Sequence, residues 1–211
     1  MATAAPPLSF PRSRRRFVQA GLLSPLGLML AGCDGFRPPR LAVNGVDITG
    51  AAYAQDFRLL DPDGKERTLA DFRGQAVLMF FGFTQCPDVC PTALTRASRI
   101  RELLGPLGSQ LQVIFVTLDP ERDTPEVLRA YTAAFDPSFL GLYTDVEGTA
   151  QTAKAFRVYY RKVPTGASYT MDHSALSYLY DPQGRVRVVL RHELSAEQCA
   201  ADVRQLLAKT A

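Results

Sequence analysis

The sequence predicts an α/β fold, a central mixed sheet flanked by helices with an added β-hairpin, and three observations predict it. Residues 77–81, Val-Leu-Met-Phe-Phe, form an unbroken apolar run, the mark of a strand buried on both faces. Residues 111–118, Leu-Gln-Val-Ile-Phe-Val-Thr-Leu, form a second such strand. Segments with helical spacing lie between and after these runs, and alternation of strand and helix builds parallel strands joined by crossovers.

Taken in order, residues 1–32 read as an export signal. They hold Arg12, Arg14, Arg15 and Arg16 and no acid. Ser13-Arg14-Arg15-Arg16-Phe17-Val18 resembles a twin-arginine signal, and residues 20–30 are an apolar run too short to span a bilayer comfortably. Leu30-Ala31-Gly32-Cys33 resembles the lipobox of bacterial lipoproteins, a pattern in which the chain is cut before the cysteine and the cysteine is lipidated. Residues 33–50 are then expected to be a lipidated Cys33 and a flexible tether containing Pro38 and Pro39, and residues 51–211 a single domain. Asp34 resembles a signal that keeps lipoproteins at the inner membrane, so the expected location is the periplasmic face of the bacterial inner membrane.

The full chain of 211 residues carries a formal charge of +3. Without the four arginines of the leader, 20 basic residues face 21 acidic ones, a formal charge of −1. A near-neutral mature chain gives no footprint for nucleic acid. Export places the domain where disulfides persist. With Cys33 lipidated, three of the four cysteines remain, so one pair at most forms within the chain.

Within the domain, Phe57-Arg58-Leu59-Leu60, the turn Asp61-Pro62-Asp63-Gly64 and Arg67-Thr68-Leu69 read as a hairpin. The strand at 77–81 ends at Gly82 and a polar turn delivers Cys86 and Cys90; from Thr92 the spacing is that of an amphipathic helix. After the strand at 111–118, Thr124 is an N-cap and Pro125 a first helical residue for a helix over 126–135. Residues 139–143 form a short strand and 146–158 a helix with an acidic start and a basic end. Residues 177–190 turn at Asp181-Pro182-Gln183-Gly184 as a second hairpin, and residues 195–208 form a last helix holding Cys199, read as a small structural residue. A cysteine pair at the end of a central strand makes a thioredoxin-like fold the natural form of this pattern.

The thiols have three sources of reactivity. If Cys90 stands in the first turn of the helix, free N–H groups and the helix dipole favour thiolate there. A spacing of four puts Cys86 and Cys90 on one side of a helically wound turn. Pro87 stiffens the loop and Pro91 suits a first helical turn. Inert buried thiols or a structural disulfide are the plainer readings.

Of the two histidines, His192 lies in the charged connection Arg191-His192-Glu193 and reads as solvated, whereas His173 lies in the polar stretch Met171-Asp172-His173-Ser174. Two thiolates and an imidazole are a soft, low-coordinate donor set. It suits Cu(I), accepts Cu(II) with an added water or carboxylate, and is incomplete for structural Zn(II). Thioredoxin-type exchangers place two residues between their thiols and a cis-proline opposite. Here three residues intervene, and Pro164 is the nearest proline to His173.

Three motifs in order, Phe-Gly-Phe-Thr-Gln-Cys-Pro-Asp-Val-Cys-Pro, Val-Thr-Leu-Asp-Pro-Glu-Arg-Asp-Thr-Pro and Asp-His-Ser, resemble the Sco/SenC family across residues 56–207. That resemblance implies a thioredoxin-like copper chaperone for the CuA centre of cytochrome c oxidase, with copper held by Cys86, Cys90 and His173. It also implies that Asp119 and Asp123 lie near the site, supporting the ligands or facing a partner; solvated loop acids are the alternative. Expected partners are the copper-receiving oxidase subunit, another periplasmic copper chaperone, a thiol reductant and, through the lipid anchor, the membrane. Phe83 replaces a common tyrosine, and Cys199 and the lipobox lie outside the family pattern. Two other functions use the same residues: a thiol–disulfide oxidoreductase that keeps target cysteines reduced, and a copper or redox sensor.

Overall fold

A computed structural model describes residues 41–208 and Met1. The export signal, the lipobox with Cys33 and the first part of the expected tether lie outside the described residues. Strand β1 (Val46–Asp47) is followed by a small hairpin, β2 (Leu59–Leu60) and β3 (Glu66–Arg67), then by β4 (Ala76–Gly82) and helix α1 (Val89–Leu104). Next come β5 (Leu111–Thr117), α2 (Pro125–Ala133), β6 (Leu140–Leu142) and α3 (Val146–Ala155). A second hairpin, β7 (Tyr160–Thr165) and β8 (Ser168–His173), precedes β9 (Ser177–Tyr180), β10 (Val186–Leu190) and α4 (Ala196–Ala208).

The central sheet has the order β1-β10-β9-β4-β5-β6. Strands β4, β5 and β6 run parallel, with Phe80 beside Phe115 and Gly82 beside Thr117. β9, β10 and β1 complete the sheet by antiparallel pairing. Every residue of β4 is buried, which explains a run that is apolar without alternation; β9 and β10 are buried throughout as well, Ser177 and Arg187 included. Alternation along β4 sends Phe80 and Gly82 to the face covered by α1, and Phe81 to the other face. There Phe156 and Tyr178 lie 5.0 Å and 6.2 Å from the Phe81 ring. Helices α1 and α4 pack on each other and on β4. Parallel strands with crossover helices at the centre and antiparallel strands beside them make the fold thioredoxin-like.

Two expectations change. Residues 41–50 belong to the fold and not to the tether. Leu41 is buried, Val46 pairs with Val189, and Asp202 on α4 accepts hydrogen bonds from the backbone of Asn44 and Gly45 at 2.8 Å and 2.9 Å. That buried carboxylate is 158 residues away from Asn44, so no local signal announces the attachment. The second difference is the β7–β8 hairpin, which includes the polar stretch around His173. Its signal is present in the sequence: Gly166-Ala167 joins Thr165 to its partner Ser168, and Gly166 has φ +62°, which suits a two-residue hairpin turn. Charged residues at 161, 162 and 172 obscured the strand pattern, because this hairpin lies outside the central sheet and most of it is solvated.

Helix starts follow the predicted chemistry. Thr124 Oγ1 accepts a hydrogen bond from the Val127 N–H at 3.3 Å, with Pro125 first in α2. Asp145 Oδ1 accepts from the Gly148 N–H at 2.7 Å at the start of α3, which ends at Ala155, earlier than the spacing suggested. Among the described residues, no helix is long and apolar enough to cross a membrane.

Candidate metal centre

The C-terminal end of β4, an inner strand, delivers the site, and Gly82 closes the strand because no side chain fits there. A Cβ on Gly82 would stand 2.6 Å from Cys90 Sγ and 2.9 Å from Phe115. The strand therefore passes directly beneath the thiol. Cys90 is the second residue of α1, in its first turn, fully buried. The N–H of Cys90, one of the orphan donors of the helix start, points to Cys86 Sγ at 3.4 Å. Cys86 is half-buried. The metal-capable side of the cluster therefore opens through Cys86 while Cys90 anchors it in the core.

His173 ends β8 and brings Nε2 to 3.6 Å from Cys90 Sγ. The two sulfurs and a ring nitrogen all lie within 4.8 Å of one another. The ring of His173 stands edge-on to Phe80 and Phe83, 6.1 Å and 5.8 Å away. Its Nδ1 lies 3.0 Å from the Ser174 carbonyl, and a carbonyl only accepts; Nδ1 thus donates there, which fixes the ring with Nε2 toward the sulfurs. His192 stands apart, on the loop before α4, where its carbonyl receives Arg96.

The thiols divide their protons unequally. Cys90 donates to Cys86, and that bond, opposed by burial and aided by His173 and by the backbone N–H groups of Asp88 and Cys90, lowers the Cys86 pKa to about 3. Holding that hydrogen to donate it to the Cys86 thiolate, together with burial, pushes the Cys90 thiol far up. A soft cation entering this site meets one thiolate already formed and displaces one proton. Cys199, buried in α4, is raised to about 11 by burial and takes no part.

Asp119 and Asp123 are both buried and hydrogen-bonded inward. Asp123 accepts from the Thr84 N–H at 3.0 Å, from the Thr84 hydroxyl at 2.6 Å and from the Thr117 hydroxyl at 2.6 Å, fixing the turn just before Cys86. Burial raises its pKa against those three bonds. Asp119 accepts the Tyr169 hydroxyl at 2.7 Å and the Arg122 guanidinium at 2.5 Å. Neither acid is solvated, and neither faces outward to a partner. Sequence reasoning assigned no role to Arg122 or Tyr169. Their signal was faint: an arginine between two acids, and a tyrosine four residues before His173.

The SCO1/SenC family model matches residues 46–208. The human protein called "Protein SCO2 homolog, mitochondrial" is 42% identical over 163 residues, covering 75% of this chain and 61% of that relative. The chain thus spans less than two thirds of that relative's length. Among solved structures, ScoI of Bradyrhizobium japonicum with copper bound is 41% identical, with a TM-score of 0.66 over 72% of this chain and 97% of that one. Yeast Sco1 with copper bound is 32% identical, with a TM-score of 0.65 over 81% and 90%. With a family match running from the strand at the sheet edge to the last helix, and the motifs brought to one cluster of two thiols and an imidazole, the chain belongs to the SCO1/SenC family.

Proposed function

We propose that this protein is a copper chaperone that holds Cu(I) through Cys86, Cys90 and His173 and passes it to the CuA centre of cytochrome c oxidase. The single observation that carries this reading is the convergence of two sulfurs and an imidazole nitrogen within 4.8 Å at the C-terminal end of β4. Their chemistry fits the cargo: soft sulfur and neutral imidazole donors, three in number, match Cu(I) and fall one short of structural zinc. The copper-bound relatives in Bradyrhizobium japonicum and yeast support the same reading. Donors half-open on the Cys86 side permit transfer by ligand exchange with an incoming soft site, and Cys90 holds the ion until exchange completes. Asp119 and Asp123 support the ligands from behind.

The export signal and Cys33 extend the proposal to a lipid-anchored protein at the periplasmic face of the inner membrane, whose tether lets the domain reach the copper-receiving oxidase subunit. Another periplasmic copper chaperone and a thiol reductant complete the proposed partners. Thiol–disulfide exchange is the second reading, favoured by the lowered Cys86 pKa on a half-buried sulfur.

Cu(I) titration of the reduced full chain under a competing chelator tests the proposal, beside Cys86→Ser and His173→Ala. The expected result is one Cu(I) per chain, loss of stoichiometric binding in Cys86→Ser and at least a tenfold weakening in His173→Ala, about 1.4 kcal/mol. Stoichiometric Cu(I) binding by Cys86→Ser sinks the three-ligand site. Equal weak binding by wild type and His173→Ala, with both reducing a disulfide substrate, transfers the function to thiol exchange.

A further inference from the structure

We propose that Arg122 and Tyr169 form a clamp that sets His173 against the thiols, although neither is hydrogen-bonded to a donor atom. The proposal rests on the three-ligand reading above. Its starting point is the isolation of the hairpin that carries the histidine: among the described residues, β7 and β8 pair only with each other. Among the described residues, and apart from the bonds of His173 itself, every hydrogen bond from residues 160–173 to the rest of the chain reaches one loop. Tyr169 Oη donates to Asp119 Oδ1 at 2.7 Å, Arg122 Nη1 donates to the Tyr169 carbonyl at 2.8 Å, and Lys162 pairs with Glu121. The guanidinium carbon of Arg122 also sits 3.7 Å from the centre of the Tyr169 ring. Arg122 is mostly buried and Asp119 fully so, with little water to weaken the ion pair between them.

That loop also grips the other ligand-bearing segment. Arg122 Nη1 donates to Gln85 Oε1 at 3.0 Å, beside Cys86, and Asp123 holds Thr84 by two bonds. One guanidinium therefore joins the hairpin of His173 to the turn of Cys86. The geometry of β8 transmits the grip. Tyr169, Met171 and His173 alternate with outward residues and share the face turned to the body. The clamp fixes the Tyr169 end, buried Met171 the middle, and the rings of Phe80 and Phe83 the His173 end. With the clamp intact, the imidazole is held near the sulfurs before metal arrives, and ordering the hairpin is not charged against binding. Without it, roughly 13 Å of strand between residues 169 and 173 is anchored only at Met171 and the rings.

The test compares Arg122→Ala, Arg122→Lys and Tyr169→Phe in the reduced full chain, each with and without His173→Ala. Competitive Cu(I) titration should show Arg122→Ala binding roughly tenfold more weakly, the lower range for residues that orient metal ligands. Arg122→Lys should rescue little, because a single ammonium lacks the planar fork that meets Asp119 through Nε while Nη1 reaches Gln85 and Tyr169. Tyr169→Phe, which keeps the ring and loses the bond to Asp119, should fall between. In the His173→Ala background the further loss from Arg122→Ala should vanish. A loss of equal size in both backgrounds overturns the clamp and leaves Arg122 merely structural. Amide hydrogen exchange on the metal-free protein supplies a readout independent of copper: Arg122→Ala should speed exchange across residues 160–173 at least tenfold while β4 and β5 stay protected. Unchanged exchange there overturns the clamp as well. If wild type takes up no Cu(I), the copper reading fails by itself, and hydrogen exchange still decides whether Arg122 holds the hairpin.

Discussion

Gly82→Ala tests the tightest contact at the site. The backbone at Gly82 needs no special conformation, so the substitution acts only through space. Its new methyl would sit 2.6 Å from Cys90 Sγ, 2.9 Å from Phe115 Cε2 and 3.0 Å from Phe80 Cε1. Relaxed contacts between heavy atoms of this kind are about 3.5–4.0 Å, so the sulfur must retreat by roughly 1 Å or the strand must bow. Bowing is resisted because Gly82 pairs with Thr117 of β5 and its carbonyl accepts the Leu118 N–H at 2.7 Å. Overpacking of this kind costs about 1–3 kcal/mol. At about 2–4 °C per kcal/mol for a chain of this size, the melting midpoint should fall by roughly 2–12 °C. A displaced Cys90 also spoils a site whose sulfur lies only 3.6 Å from His173 Nε2, so Cu(I) affinity should drop about tenfold. Thermal unfolding of the metal-free protein and competitive Cu(I) titration measure the two effects. A variant that melts and binds like wild type would refute the argument that the bare glycine is what admits the thiol.

The hydrogen bond from Cys90 lowers the Cys86 pKa to about 3, so its alkylation by iodoacetamide should stay nearly level from about pH 5 to 8. An ordinary thiol, with pKa about 8.5, would gain about tenfold per unit over that span, and such a climb at Cys86 would contradict the assignment. Peptide mapping should find Cys90 and Cys199 unmodified in the folded protein, both being buried with raised pKa values. Asp202→Ala removes the carboxylate that receives the Asn44 N–H, the Asn44 side chain and the Gly45 N–H at 2.8–2.9 Å. Losing these buried charged bonds should cost about 2–4 kcal/mol, seen as an earlier thermal transition, with Cu(I) affinity unchanged. An unaltered midpoint would mean that residues 41–50 are not part of the cooperative unit.

The sequence by itself determined the layers and the chemistry. Apolar runs at β4 and β5, the Thr124-Pro125 start of α2 and the Asp-Pro-Gln-Gly turn before β10 are local statements, each fixed by burial, capping or turn geometry over a few residues. Cys86 and Cys90 were legible as a pair because one helical turn separates them. His173 was legible as a candidate donor from its residue type, with the family resemblance adding its role. What only the tertiary structure decided is distance and direction between segments far apart in the chain. It placed His173 against Cys90, 83 residues earlier, and turned Asp119 and Asp123 inward as buried acceptors. It stitched residues 41–50 to α4 and fastened the β7–β8 hairpin through Arg122 and Tyr169. Those contacts depend on where two polar groups are buried together. A buried carboxylate or guanidinium is spelled with the same letter as an exposed one, and only the packing around it tells them apart.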